Sequence, residues 1–294
     1  MKTSYPVLDP QSPEANSSRG ACALGVMIKA PRAGASKTRL VPPLTHEEAA
    51  RLSADFLRDT AANIADACAE YAGDRVQAVA VYTPAGAEGA FEGLLPANFA
   101  LLAQRGDAFG ERLFHASADL LRLGHESCCL IDSDSPTLPR SLLTSAVEEL
   151  SRPGDRLVLG PADDGGYYLI GLKRAHRRLF EDIAWSTADV SAQTVERARE
   201  ISLDVALLPA WYDVDDAPTL GRLYDELFDA PGDGGGDDGG GGGGGGDAAC
   251  NTKLAPYPAP HTRAELARLL GAEGRARLRA GSAVAVRGRE EGGA

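Results

Sequence analysis

The sequence predicts an α/β fold, with a mostly parallel sheet covered by helices on both faces. Two observations carry this. Short apolar runs alternate along the chain with amphipathic stretches of helical period. The first run, "ALGVMIKA" (Ala23–Ala30), is apolar on both sides, as a strand buried between two layers requires. A chain of 294 residues with 44 % hydrophobic content holds one substantial core or two small ones.

The elements follow in order. After the strand at 23–30, a helix starts at Thr45, where Thr-His-Glu-Glu offers a capping box between Thr45 and Glu48. It runs toward Cys68 with Ala49, Leu52, Phe56 and Leu57 on one face. "RVQAVAVY" and "FALLAQ" are the next strands, and a helix near 110–123 leads into "SCCLID". Pro139 sits well at a helix start, so 139–150 is helical. "DRLVLG" and "GYYLIGL" are strands, 186–201 is helical, "DVALLP" is extended, and a helix over 217–228 closes the body.

Composition divides the chain into four parts. Residues 1–20, rich in Pro and Ser, read as a disordered tail, and 21–229 as the folded domain. Residues 230–250, dominated by glycine, read as a flexible linker, because glycine buries no side chain and has much backbone entropy to lose. Residues 251–294 form an extension with one short helix, for which Thr262 is the expected N-cap.

A formal net charge of −12 argues against a nucleic-acid backbone as partner but leaves room for a small phosphorylated ligand in a local positive site. The first twenty residues contain no apolar core of a secretory signal, and no run is long enough to span a bilayer. Five cysteines without framework spacing read as reduced thiols. A soluble, cytoplasmic protein without nucleic-acid or membrane partners is the expectation.

In parallel sheets, ligands gather outside the carboxyl ends of the strands, so the exit loops are where chemistry belongs. The first, "KAPRAGASKTRL", collects Lys29, Arg32, Lys37 and Arg39 with no acid among them. Ser36 occupies the position of the glycine that precedes a Walker lysine, so this is not a Walker loop. Its charge still suits a di- or triphosphate, although an exposed basic turn would look the same. "IDSDSPTLP" offers Asp132 and Asp134 in D-x-D spacing, a pattern that suits Mg²⁺ or Mn²⁺ and equally an ordinary turn. "WYDVDD" supplies Asp213, Asp215 and Asp216, one of which could cap the following helix. "GPADDGGYYLIGL" places Asp163 and Asp164 before Gly165-Gly166, which fits either close approach by a ligand or a bulge.

Taken together, "KAPRAGASKTRL", "QRGDAFGERL", "DSDSPTLP", "GPADDGGYYLIGL", "IAWST" and "YDVDD" occur in the order found in a bacterial family once catalogued as a domain of unknown function. The chain resembles that family over about residues 23–229. Its members are described as glycosyltransferases of the arsenosugar type and are related to the molybdenum-cofactor and phospholactate nucleotidyltransferases. The resemblance implies a Rossmann-like α/β/α sandwich of the GT-A or nucleotide-diphospho-sugar transferase type, holding a nucleotide and a divalent metal. By position it implies Arg32, Gly34, Lys37, Arg39, Gln104 and Gly106 at the nucleotide, and Asp134 and Asp215 at Mg²⁺ or Mn²⁺. Gly165, Gly166 and Trp185 would lie at the sugar or acceptor, with Lys37 and Asp164 in the chemistry. Three departures stand out: Asp132 replaces a usual glycine, which makes Asp134 the better ligand; Ala108-Phe109 replaces Asp-Leu; and Asp216-Ala217-Pro218-Thr219 replaces the usual helix start.

Three activities share such a fold. One is metal-assisted transfer of a sugar from a nucleoside-diphosphate sugar to a small-molecule acceptor. The others are nucleotidyl transfer from an NTP to a phosphorylated small molecule, with release of pyrophosphate, and nucleotide-sugar binding without catalysis. Family description favours the first.

Overall fold

A computed structural model of the chain describes residues 5–12, 22–71, 75–229, 254–271 and 276–278. The glycine-rich stretch 230–250 lies outside the described residues. Seven strands form one sheet: β1 (Cys22–Lys29), β2 (Val76–Thr83), β3 (Ala100–Ala103), β4 (Ser127–Ile131), β5 (Arg156–Pro161), β6 (Tyr167–Leu172) and β7 (Asp204–Leu207). Their spatial order is β3-β2-β1-β4-β6-β5-β7, and only β6 runs antiparallel to its neighbours. The expected α/β sandwich with a mostly parallel sheet is therefore the observed fold.

Helices α1 (His46–Ala69) and α3 (Arg140–Ser151) cover one face, and α2 (Phe109–Arg122) and α4 (Val190–Glu200) the other. The adjacent cysteines show how β4 serves both layers. Cys129 belongs to the core under α1 and α3, while Cys128 belongs to the core under α2 and α4. The capping box at the start of α1 is present: Glu48 N donates to Thr45 Oγ1 and Thr45 N donates to Glu48 Oε2. No helix among the described residues is long and apolar enough to cross a membrane.

Three local expectations change. Within the segment assigned to a disordered tail, residues 5–12 are ordered. Leu8 N donates to Leu101 O, Leu101 N donates to Pro6 O, and Tyr5 is buried with its hydroxyl on Leu95 O. These bonds cover the otherwise open edge of β3, which outweighs the segment's turn-forming composition. Helix α4 starts at Val190 rather than Ser186, because residues 183–189 are held as a loop; Ser186 has φ 65° and Ser191 N donates to Gly165 O.

The third change concerns the extension. Helix α6 (Pro260–Leu270) packs on α1 and on α5 (Ala217–Asp229), forming a third apolar cluster. Its N-cap is Ala259, in the left-handed region with φ 43°, so no cap side chain is present and Thr262 lies inside the first turn. Asp59 of α1 supplies the missing acceptor. Fully buried, it accepts from His261 N at 3.1 Å and from Thr262 N at 2.7 Å. A carboxylate facing a helix N-terminus is favoured by the helix dipole as well as by the two bonds.

Asp59→Ala leaves those two donors without an acceptor in the interior. A loss of roughly 2–4 kcal/mol of stability is expected, read as a lower urea midpoint, with α6 the first element to lose hydrogen-exchange protection.

Candidate functional site

The exit loops of β1, β4 and β7, together with the β5–β6 connection, meet at one edge of the sheet. In the loop after β1, Ser36 Oγ accepts from Arg32 N, and Ala35 N and Ser36 N both donate to Arg32 O. This tight turn sends Lys37 into the left-handed region, φ 48° and ψ 42°. The conformation costs a non-glycine residue roughly 1 kcal/mol, and here it aims the side chain inward.

The Lys37 ammonium lies 2.8 Å from Asp134 Oδ1 and 2.8 Å from Asp215 Oδ1, and donates to Val214 O at 2.8 Å. The lysine side chain is only 6 % exposed, whereas those of Asp134 and Asp215 are 38 % and 43 % exposed. Burial alone would lower the Lys37 pKa; the charges of Asp134 and Asp215 reverse that and hold it above the ordinary lysine value. The two aspartates expected to converge are thus side by side. Lys37, expected to face the phosphates, holds its ammonium between these two carboxylates and also lines the larger of the cavities described below. Arg39 of the same loop is 73 % exposed and 3.9 Å from Asp215 Oδ2.

The backbone locks this arrangement. Val214 N donates to Asp134 O, tying the β4 exit to the loop after β7. Asp132 accepts from Asp134 N and Ser135 Oγ, so the first aspartate of D-x-D shapes the turn that presents the second. Asp216 is the helix cap among the three aspartates of its loop: Thr219 N donates to its Oδ1.

Two cavities flank the Lys37 cluster. The larger, about 500 Å³, is lined by residues 27–29 and 35–39 of β1 and its exit, with Gln104, Phe109 and Arg112 also in its wall. The smaller, about 340 Å³, lies toward the β5–β6 connection and is lined by Asp132, Asp164, Gly166, Trp185 and Asp213 among others. Arg39, Phe109, Asp134 and Asp215 border both. In the smaller cavity, burial and then the charges of Asp134 and Asp213 push the Asp132 carboxyl well above the usual carboxylate range. Burial, then Asp164 and Asp215, push Asp213 up to about 6.

The glycines divide into site and scaffold. Gly165 has φ 91°, and a Cβ there would sit 2.0 Å from Ala188 O, so only glycine lets the loop carrying Trp185 close on the β5–β6 connection. Asp164 Oδ1 accepts from Gly166 N at 2.8 Å, which orients the carboxylate beside the smaller cavity. Gly106 does not line either cavity; with φ 106° it closes a turn against Glu111 of α2. Arg32 and Gly34 also stay out of both linings. Gln104 lines the larger cavity, but its amide donates to Ile28 O and Val81 O, leaving that nitrogen committed to the strands.

Sequence reasoning missed Phe109 and Arg112 as cleft residues, while Lys29, one of the four loop cations, does line the larger cavity. Phe109 is 43 % exposed and lies edge-on to Trp185 at 5.1 Å, with the Arg112 guanidinium 5.8 Å from its ring. Its place where the resembled family carries Leu was the available signal. Met27, read as core, is partly buried and reaches the larger cavity.

A family model described as an uncharacterized protein conserved in bacteria (DUF2064) matches residues 64–187, which include Gln104, Asp134, Asp164 and Trp185. A solved protein of Desulfovibrio desulfuricans G20, provisionally described as a nucleotide-diphospho-sugar transferase, is 31 % identical. The match covers 71 % of this chain and 89 % of that one, with a TM-score of 0.64. Rv0371c of Mycobacterium tuberculosis H37Rv is 15 % identical over 70 % of this chain and 97 % of its own, with a TM-score of 0.39. The mannosyltransferase PcManGT of Pyrobaculum calidifontis, in complex with GDP-Man and Mn²⁺, is 17 % identical over 96 % of this chain and 78 % of its own, with a TM-score of 0.40. Likenesses as loose as the last two bring no chemistry to this chain. No curated protein matches the sequence.

Lys37→Met would leave two adjacent carboxylates without their shared cation. A stability loss of about 1–3 kcal/mol is expected, tempered by the exposure of both acids. Adding Asp134→Asn to Lys37→Met should cost less than Asp134→Asn alone; equal costs in a urea-unfolding double-mutant cycle would show that the three groups are uncoupled.

Proposed function

The chain belongs to the bacterial DUF2064 family, and from that membership we propose that it is a transferase that takes a sugar from a nucleoside-diphosphate sugar and passes it to a small-molecule acceptor. The observation that carries the reading is the shared wall. A donor in the larger cavity and an acceptor in the smaller one would meet at Asp134, Asp215, Arg39 and Phe109.

The donor's diphosphate belongs beside the β1 exit loop, where Lys29, Arg39 and Arg112 line the larger cavity. Lys37 acts one step back. By holding Asp134 and Asp215 together it fixes where their outer oxygens point. Those oxygens fit a hard divalent cation. Two carboxylates with accessible oxygens, completed by phosphate oxygens and water, are the usual protein share of a Mg²⁺ or Mn²⁺ site, and no group of three or more His, Cys, Asp or Glu suited to a metal occurs among the described residues. When bound, the ion would offset the negative charge that grows on the departing phosphate oxygen. In the transfer, the acceptor oxygen bonds to the sugar's anomeric carbon as the bond from that carbon to the phosphate oxygen breaks, and the nucleoside diphosphate leaves. Asp164, held by Gly166 N, is placed to accept the proton released by the acceptor hydroxyl.

Thermal-shift titration with UDP-, GDP- and ADP-sugars, with and without Mn²⁺, tests the reading. At a hundredfold excess over Kd, one donor should add about 2.7 kcal/mol of stability, and the gain should depend on the metal. Asp134→Asn with Asp215→Asn should remove that dependence. Release of pyrophosphate from an NTP, with no response to any nucleotide sugar, would overturn the reading in favour of nucleotidyl transfer.

A further inference from the structure

The two cavities that share a wall differ sharply in charge. Lys29, Lys37, Arg39 and Arg112 line the larger one, against only Asp134 and Asp215. The smaller is lined by Asp132, Asp134, Asp164, Asp213 and Asp215, and its one cationic lining residue is Arg39, which it shares with the larger. Arg222, the nearby cation on α5, is engaged elsewhere: it pairs with Asp163 at 2.6 Å and stacks on Tyr212 at 3.8 Å. Lys37, and the divalent ion when bound, offset Asp134 and Asp215, and both oxygens of Asp132 are taken up by Asp134 N and Ser135 Oγ in its own turn, which leaves Asp164 and Asp213 as the acids facing the smaller cavity with no cation of their own among its lining residues.

The same cavity has an aromatic side. Phe109 and Trp185, in edge-to-face contact, both line it, and Tyr167 joins them. Aromatic rings that pack against C–H faces, beside carboxylates that accept from hydroxyls, suit a polyol or a sugar ring. The same carboxylates repel a phosphate or carboxylate group, and the one guanidinium in the lining, Arg39, is shared with the donor cavity.

We infer that the acceptor is a polyhydroxylated small molecule carrying no anionic group. This rests on the transferase reading above and narrows it: phosphorylated and carboxylated acceptors are excluded by charge, and the anionic partner of the reaction is confined to the donor side. Asp213 then acts as a specificity residue, contributing to the exclusion from a position that the chemistry does not use.

The test uses the full-length protein, the donor that responds in the thermal-shift screen, and matched acceptors: free sugars and alditols against their phosphate esters and the corresponding aldonates. At least a hundredfold higher kcat/KM is expected for the uncharged member of each pair, arising mainly in KM. Asp213→Asn, which removes one charge and keeps the shape, should narrow that ratio about tenfold while leaving donor affinity unchanged. Equal or better use of the phosphorylated acceptors would overturn the inference, as would a preference that Asp213→Asn does not move, or failure of every uncharged acceptor to take the sugar from a bound donor. Slow donor hydrolysis by water, measured without acceptor, separates the two levels. Its presence alongside any of these results sinks the acceptor class alone, and the absence of both donor binding and hydrolysis sinks the transferase reading together with it.

Discussion

The ammonium of Lys37 is within 2.8 Å of Asp134, Asp215 and the carbonyl of Val214, and the carboxyl edge of the sheet is organised around that contact. Three loops that are far apart in sequence have to agree for it to form. The β1 exit must enter the left-handed region at Lys37, the β4 exit must turn through Asp132, and the chain after β7 must lie against Asp134 O. Pairing one buried cation with two half-exposed acids makes the agreement worth its desolvation cost, because each acid keeps one side open to solvent. That open side is what leaves the pair able to serve a ligand.

The cluster also separates two environments of opposite sign. Cations drawn from the β1 exit and α2 face one cavity, and the acids of the β4, β5 and β7 exits face the other. A reaction that expels an anion on one side while a hydroxyl attacks from the other fits such a polarity, since the field favours negative charge moving toward the basic half.

Much of this was legible in the chain before its folding was known. The capping box at Thr45, the buried β1 run and the alternation of strands with helices were local signals, and the structure keeps them. A topological rule about where strands end brought the aspartate-rich junctions to one edge, and the family resemblance singled out Asp134 and Asp215 among them. What could not be read was pairing over distance. Nothing near Lys37 in sequence says that its charge will be met by residues some hundred and more positions away. Asp59 is similar: an acid in the middle of an amphipathic helix becomes a cap only when another helix brings its N-terminus to it. Gly106 and Gly165 look alike in sequence, and only the backbone they touch assigns one to a turn and the other to the site.

The docking of α6 has a consequence for the chain as a whole. Arg263 Nη1 donates to Leu227 O at the end of α5, Arg277 donates to Pro43 O and Glu48, and the apolar cluster beneath them includes Leu40 and Val214, neighbours of Lys37 and Asp215. Helix α6 and the body it rests on therefore share one apolar cluster, and the end of α5 is bonded directly to α6. Loosening α6 would then reach the residues that seat Lys37 and Asp215 through Leu40 and Val214, although the helix itself lines neither cavity.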